Sequence, residues 1–540
     1  MYNKFTRTLG MLALAGGLLS LPTSCVNDLD QIPDYSANAE VVYRDPAKIQ
    51  QVLARLYATF AVSGQTGPAG NPDIQGIDEG FSNYLRQYWQ LQEITTDEAV
   101  LGWNDGNLPN VNTLQWNADN EFVRATYDRI YYEIALCNEF IRQTSDARLS
   151  ERGITGDQAS TVRTYRAEAR LLRALCYWHA IDLFGGGPFA TEEAAIGTNP
   201  VYKNRTELFS YVESELKALE SEGNLLAPRA SYARADQGVL WTLLTKLYLN
   251  AEVYNKKDTD ANGAKYVTSA VTYANKVLKA GYALSPSYTN LFLADNDKTA
   301  ARDEIIFPIA FDGTRTKGFG GMTFLVHAAV GRAVSPASAG INGGWAGTRA
   351  KQNLPALFTS TANTNDSRKD LFFTRAQNPN VDTLAVFSSG TLVTKFRNVT
   401  STGVAGSDTE GNFPDTDFPM FRLADVKLMY AEALLRGGTG GTEGTALEQI
   451  NAVRARSGAA PLSTLALTDI LDERGRELFW EGHRRTDLIR FGRYTANYNW
   501  PFKGGIRAGR DVEATRTIFP IPTTDIVANP NLVGHQNPGY

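Results

Sequence analysis

Metal and nucleophile chemistry have little to work with in this sequence. Its 540 residues hold four histidines and three cysteines. His179, His327, His483 and His535 form no H-E-x-x-H pair, so the helical zinc-protease site is excluded. No C-x-x-C is present, which removes the common zinc and redox motifs. No serine has glycine two residues to either side, so there is no nucleophile elbow. The glycine cluster at 437–444 lacks the G-K-[ST] of a phosphate-binding loop and reads as a helix–helix turn. The run Gly318, Gly320, Gly321 is no dinucleotide motif either. No lysine/arginine block tracks a phosphate backbone, and the formal net charge is −5, so nucleic acid is not an expected partner. Nothing in the residues implies a metal or organic cofactor.

What is there begins with an export leader. Lys4 and Arg7 precede an apolar run at 9–21, which is too short to span a bilayer as a helix. Residues 1–24 therefore read as a signal peptide. Leu21-Pro22-Thr23-Ser24-Cys25 resembles a lipobox, in which the cysteine becomes the mature N-terminus and takes lipid on its sulfur. Cys25 is the expected lipidation site. Cys137 and Cys176 fall inside predicted helices, and spacing does not decide whether they pair.

Apolar residues at helical spacing predict helices at about 45–62, 120–144, 158–184, 204–222, 235–256 and 264–280, with one or two short helices over 81–95. Residues 285–420 break that pattern. Residues 304–311 (EIIFPIAF) and 383–396 read as extended, with a Gly/Asn/Ser-rich stretch around 312–350 between them. The fold class that follows is mostly α: tetratricopeptide-like helical hairpins supporting an irregular insertion with a few short strands. The expected organisation is a helical part at 25–290, a ligand-facing insertion at 291–420, and C-terminal helices and tail at 421–540. Both helical parts are expected to share one core.

Residues 421–493 return to helical spacing. Leu423, Val426, Tyr430, Ala433 and Leu434 form one stripe that must stop at Gly437-Gly438. A second helix follows at about 444–457. A third, starting near Thr468, carries Glu473, Arg474, Arg476, Glu477, Glu481, Arg484, Arg485, Asp487 and Arg490 among apolar residues. Such a pattern fits a solvated, salt-bridged helix, or buried charge-assisted bonds that fix the C-terminal helices. This run, with Glu481-Gly482-His483-Arg484, Arg490-Phe491-Gly492 and the endings FPIP, NPNL and QNPGY, resembles the C-terminal signature of the SusD/RagB family. Those are nutrient-binding outer-membrane lipoproteins of the Bacteroidetes.

The resemblance implies a lipid-anchored surface protein of the outer membrane. Such a protein captures a nutrient and hands it to a SusC-like TonB-dependent transporter, over which it acts as a lid. Glycans are the commonest family ligand, and some members take peptides. From the residues themselves, Trp103-Asn104-Asp105-Gly106-Asn107 places an aromatic plane beside amides on a predicted loop, which suits sugar C–H faces and hydroxyls. In the family, a loop after a T-D-E run supplies a stacking tryptophan and an asparagine, and Thr96-Asp97-Glu98 precedes Trp103 and Asn104 in the same way. Trp345, in Asn342-Gly343-Gly344-Trp345, is the second cluster. Tyr84, Tyr88, Trp89 and Phe319 are further ligand-binding candidates. A glycan hydrolase would need a close acid pair; Asp97-Glu98 and Asp295 with Asp297 are available, and the sequence does not single out either. The expected function is binding, with no catalytic residue.

Cys25→Ala is expected to leave unprocessed precursor or a soluble product. Labelled palmitate incorporation and membrane partitioning measure this. A variant that still takes up label and sediments with the outer membrane removes the lipidation reading.

Overall fold

The computed structural model describes residues 39–540, so the expected signal peptide and the expected lipidation site Cys25 lie outside the described residues. In its first half the main helices are α1 (Pro46–Ala61), α2 (Tyr84–Trp89), α3 (Glu121–Gln143), α4 (Gly156–Leu183), α5 (Arg205–Glu222), α6 (Gln237–Leu249) and α7 (Tyr266–Leu278). Then come α8 (Gly321–Ala328), α9 (Leu423–Leu435), α10 (Ala446–Arg456), α11 (Leu467–Leu478) and α12 (Arg484–Arg490). Polar caps set several boundaries. The Asn120 side chain accepts from the N–H groups of Phe122 and Val123 and opens α3. Asn204 and Glu207 form a reciprocal capping box at the start of α5, which Gly223 ends in the left-handed conformation. The predicted stop after α9 falls where the glycines put it, with Gly437 at φ +90°.

Successive helices pack as hairpins: α3 on α4, α4 on α5, and α6 on α7. Helix α7 then packs on α9, and α9 on α10, so the chain resumes its helical stack across the insertion. One continuous apolar core runs from Tyr43 to Leu532. A smaller cluster under α9, α10 and α11 is built on Leu428, Ile450, Val453 and Ile470.

Among the described residues, eight short strands form four antiparallel pairs. They are β1 (Ala99–Leu101), β2 (Gly187–Phe189), β3 (Val201–Lys203), β4 (Ile305–Ile309), β5 (Thr348–Ala350), β6 (Phe372–Phe373), β7 (Leu392–Val393) and β8 (Phe418–Arg422). The pairs are β1 with β5, β2 with β3, β4 with β8, and β6 with β7. Strands β4 and β8 lie at either end of the insertion and close its base. Two details of the insertion differ from the sequence reading. Only Leu392–Val393 of the expected 383–396 strand is extended in a ladder, and α8 lies within the stretch read as irregular. Helix α8 is apolar nearly all round and fully buried, so it lacks the polar–apolar alternation that marks a surface helix. Cys137 and Cys176 are free and buried.

The charged run beyond Thr468 is not one solvated helix. Helix α11 stops at Leu478, a turn follows with Trp480 at φ +64° and Gly482 at φ +79°, and α12 starts afresh. Most of its charges are buried and paired. Arg422 bonds Glu304 Oε1 at 2.8 Å, Glu477 Oε1 at 2.6 Å and Glu481 Oε2 at 2.5 Å, and all four side chains are fully buried. Arg368 bonds Asp366 at 2.6 Å, Glu473 at 2.7 Å and Glu477 at 2.8 Å. Arg456 joins Glu304 to Glu477, Arg454 meets Glu473, and Lys395 meets Glu481. Although burial opposes it, the surrounding arginines pull the Glu473 carboxyl down to about 2 and hold Glu477 well below the usual range. The lattice spans both ends of the insertion and its interior, as well as α10 and α11.

The turn at 479–483 is read by the segment 88–98. Trp89 Nε1 donates to the Trp480 carbonyl at 2.9 Å, and the Tyr88 hydroxyl to the Gly482 carbonyl at 3.0 Å. Glu93 Oε1 accepts from Gly482 N–H at 2.6 Å, and Glu98 Oε2 from Trp480 N–H at 3.1 Å. Asp97 takes a two-pronged bond from Arg484 at 2.8 Å. Burial pushes the Glu98 carboxyl up to about 7 and Glu93 well above its ordinary value, the latter also through the neighbouring Glu98.

Two outcomes follow. Arg422→Met leaves three buried carboxylates short of a cation and is expected to cost about 3–5 kcal/mol, read from denaturant midpoints; an unchanged midpoint would contradict the lattice. Glu98 takes up its proton more readily when folded, so its contribution is fully present below about pH 4.5 and is lost as pH rises through about 7. Glu98→Gln mimics the protonated form, so its stability relative to wild type should rise between about pH 5 and about pH 8. A constant difference would remove this assignment.

Candidate functional site

The β1–β5 ladder brings the two tryptophan clusters together. Leu101 pairs with Thr348, and Gly102 N–H donates to the Gly347 carbonyl at 3.1 Å. The loops carrying Trp103 and Trp345 therefore leave the same end of one ladder. Their ring centroids are 6.3 Å apart at 48°. Gly347 is required by this contact, since a Cβ there would stand 2.6 Å from the Trp103 indole.

The Trp345 loop is held to the end of α8. Helix C-termini leave carbonyls without helical partners, and here the loop supplies them. Trp345 N–H donates to the His327 carbonyl at 2.8 Å, Ala346 to Val330 at 3.0 Å, and Gly347 to Ala328 at 2.8 Å. Ala346 sits at φ +53° to make the last two bonds. The Trp345 ring stacks on the His327 imidazole at 4.7 Å and 27°.

Phe319 joins the group at 6.4 Å from Trp345 and 5.7 Å from Phe413. It is 36% exposed, and its N–H donates to Glu79 Oε2 at 3.1 Å. Trp103 and Trp345 are half-buried rather than fully exposed, because Trp103 also rests on Phe324 at 5.9 Å and Phe81 at 6.5 Å. Beneath them the Arg86 guanidinium lies 3.8 Å over Phe81, 4.3 Å over Phe324 and 5.5 Å over Trp103. Its Nε and Nη2 make no hydrogen bond among the described residues, and burial brings its pKa down to about 9. Asn104 is exposed at the edge, and among the described residues no hydrogen bond engages its amide.

Thus Trp103, Asn104, Trp345 and Phe319 converge on one surface. Tyr84, Tyr88 and Trp89 do not, which corrects the expectation for them. All three are in α2, every residue of which is buried. Tyr84 Oη lies 2.7 Å from His179 Nδ1, and Tyr88 and Trp89 serve the 479–483 turn. Arg86, Phe324, His327 and Phe413 complete the group and carried no signal in the sequence, because nothing distinguishes them from ordinary core residues. Of the acids offered for hydrolysis, Asp97, Glu98 and Asp295 are engaged elsewhere. Asp97 holds Arg484 and the Tyr498 hydroxyl, and Asp295 accepts from Ser401 N–H at 2.8 Å and its hydroxyl at 2.7 Å. Among the described residues no cluster of His, Cys, Asp and Glu is arranged to hold a metal ion, and no helix is long and apolar enough to cross a membrane.

The surface offers tilted aromatic planes rimmed by amide and backbone groups. That arrangement fits stacking against a flat, weakly polar ligand with hydroxyls at its edge. A family model described as the SusD family matches residues 251–540. The chain is 34% identical to the starch-binding protein SusD of Bacteroides thetaiotaomicron, over the whole of both chains. It is 25% identical to the SusD-like protein P2 of Formosa agariphila, over 81% of this chain and 84% of that one. Among solved structures, surface glycan-binding protein A from Bacteroides thetaiotaomicron in complex with laminarihexaose superposes with a TM-score of 0.69 at 17% identity, over 91% of this chain and 99% of that one. A laminarin-binding SusD-like protein gives a TM-score of 0.66 at 20% identity, over 92% and 99%.

Proposed function

The chain belongs to the SusD family, and from that premise we propose that it binds a glycan at the Trp103–Trp345 surface. It does so as a lipid-anchored protein of the outer membrane that delivers its ligand to a TonB-dependent transporter. The observation that carries the binding reading is the half-exposed pair of indoles beside the unengaged amide of Asn104. Pyranose rings present C–H faces that suit such planes and hydroxyls that suit such amides. The names of the relatives support the same class: one is a starch-binding protein, and one solved neighbour holds laminarihexaose. Delivery and anchoring rest on the family and on the reading of residues 1–25. Binding requires no proton transfer, and Asp97, Glu98 and Asp295 are committed to the fold.

Trp103→Ala and Trp345→Ala are each expected to weaken binding by about one to two decades, since a stacked aromatic contributes roughly 1–3 kcal/mol. Calorimetric titration with maltohexaose and with laminarihexaose, on variants that still melt cooperatively, makes the measurement. Unchanged affinity in both variants would move the site elsewhere. Binding of peptides but of neither saccharide would favour the peptide branch of the family.

A further inference from the structure

The His327 ring, which Trp345 covers, has an unusual pair of partners. Its Nδ1 lies 2.6 Å from the Gly343 carbonyl and its Nε2 lies 2.9 Å from the Asn412 carbonyl. Both partners are acceptors only. A neutral imidazole has one N–H and one lone pair, so it can satisfy one carbonyl and must turn its lone pair against the other. Only the imidazolium, with two N–H donors, fits both.

The two carbonyls belong to different loops. Gly343 lies two residues before Trp345. Asn412 adjoins Phe413, the ring on which Phe319 rests. The imidazole thus ties together the two loops that present the aromatic surface, directly beneath one of its planes. The charged groups around it are few. Helix α8 and residues 342–345 carry no other ionisable side chain. From the 408–413 loop, Asp408 accepts from the N–H groups of Asn412 and Phe413, and Glu410 from the Asn412 amide. Lys317 lies 5.7 Å over the Phe413 ring. Among the described residues none of these forms an ion pair with the ring.

We infer that His327 is the positioning residue of the binding surface: as an imidazolium bridging the Gly343 and Asn412 carbonyls, it fixes Trp345 in its ligand-ready pose. This rests on the glycan reading above. Burial lowers the pKa of this histidine, while the two carbonyls raise it. An arrangement with one loop displaced leaves the ring under Trp345 with one carbonyl fewer, which lowers it further. Acid therefore favours the bridged arrangement, in a window below the ordinary histidine value of about 6.5. Affinity should rise as pH falls through that window.

The test uses a ligand that does not itself titrate. Calorimetric affinity of the intact protein for maltohexaose or laminarihexaose should tighten about three- to tenfold between about pH 7.5 and about pH 5. His327→Phe keeps a flat ring beneath Trp345 and should bind with a flat profile near the weaker wild-type value. Trp103→Ala should bind more weakly but keep the wild-type slope. A flat wild-type profile, or the same slope in His327→Phe, overturns the inference and leaves the glycan reading intact. If neither saccharide binds at any pH, that reading fails instead, and a second measurement decides the inference. With ¹⁵N-histidine labelling, four histidines give a tractable spectrum. On acidification the bare His327 ring nitrogen should gain its proton, so that both are N–H, and the Trp345 indole resonance should shift with the same midpoint. A single neutral tautomer persisting to about pH 5 would sink the proposal.

Discussion

Buried charge holds this molecule in register. Arg422 and Arg368 each meet three carboxylates out of contact with water, and Glu477 touches both. Isolated ions would not stay buried; these do because every one has several partners at hydrogen-bonding distance. The members come from Glu304 just before β4, from Arg422 at the end of β8, from residues 366–395, from α10 and α11, and from Glu481 in the turn after α11. An irregular insertion of this length has little regular hydrogen bonding of its own. Its position against the helices is set largely by where its arginines, lysine and carboxylates find their mates.

The aromatic surface depends on that placement. One of its two tryptophan loops leaves the helical part and the other leaves the insertion, and a three-residue ladder joins them. Neither loop has a helix of its own to stand on. Trp103 gains support from Phe81, Phe324 and the guanidinium of Arg86. Trp345 gains it from the carbonyls at the end of α8 and from the His327 ring. The proposed recognition surface is thus assembled at the seam between two parts of the chain, where a small relative shift changes the angle between the rings.

The helical hairpins were legible because their apolar spacing, caps and terminal glycines all agree, as at Asn120, Gly223 and Gly437. That Trp103, Trp345 and Phe319 reach the surface was legible because large aromatics in Gly/Asn-rich sequence have no helix to bury them; their part in binding is the proposal made above. Tyr84, Tyr88 and Trp89, offered as candidates within a predicted short helix, are buried instead. Their short helix is enclosed on all sides, and periodicity cannot tell a helix with one buried face from one with none exposed. Helix α8 hid for the same reason. The role of Glu473, Glu477 and Glu481 was only half legible: spacing brings Glu473 and Glu477 together on α11, but it misses the turn that carries Glu481, and their partners Arg368 and Arg422 lie far away in sequence. His327 gave no sign at all, since its two carbonyl partners are backbone groups, which every residue has.

The pairing between residues 88–98 and the turn at 479–483 bears on how the chain comes together in time. Glu93, Asp97 and Glu98 wait for N–H groups and an arginine that are almost four hundred positions away. A chain made from its N-terminus must therefore carry these carboxylates, with Tyr88 and Trp89, uncommitted until nearly all of it has emerged. Contacts of such long range delay closure and slow folding. On the proposal that residues 1–24 are an export leader, that delay keeps the chain loose enough to be threaded through a membrane pore, and the fold locks only once its last helices are made.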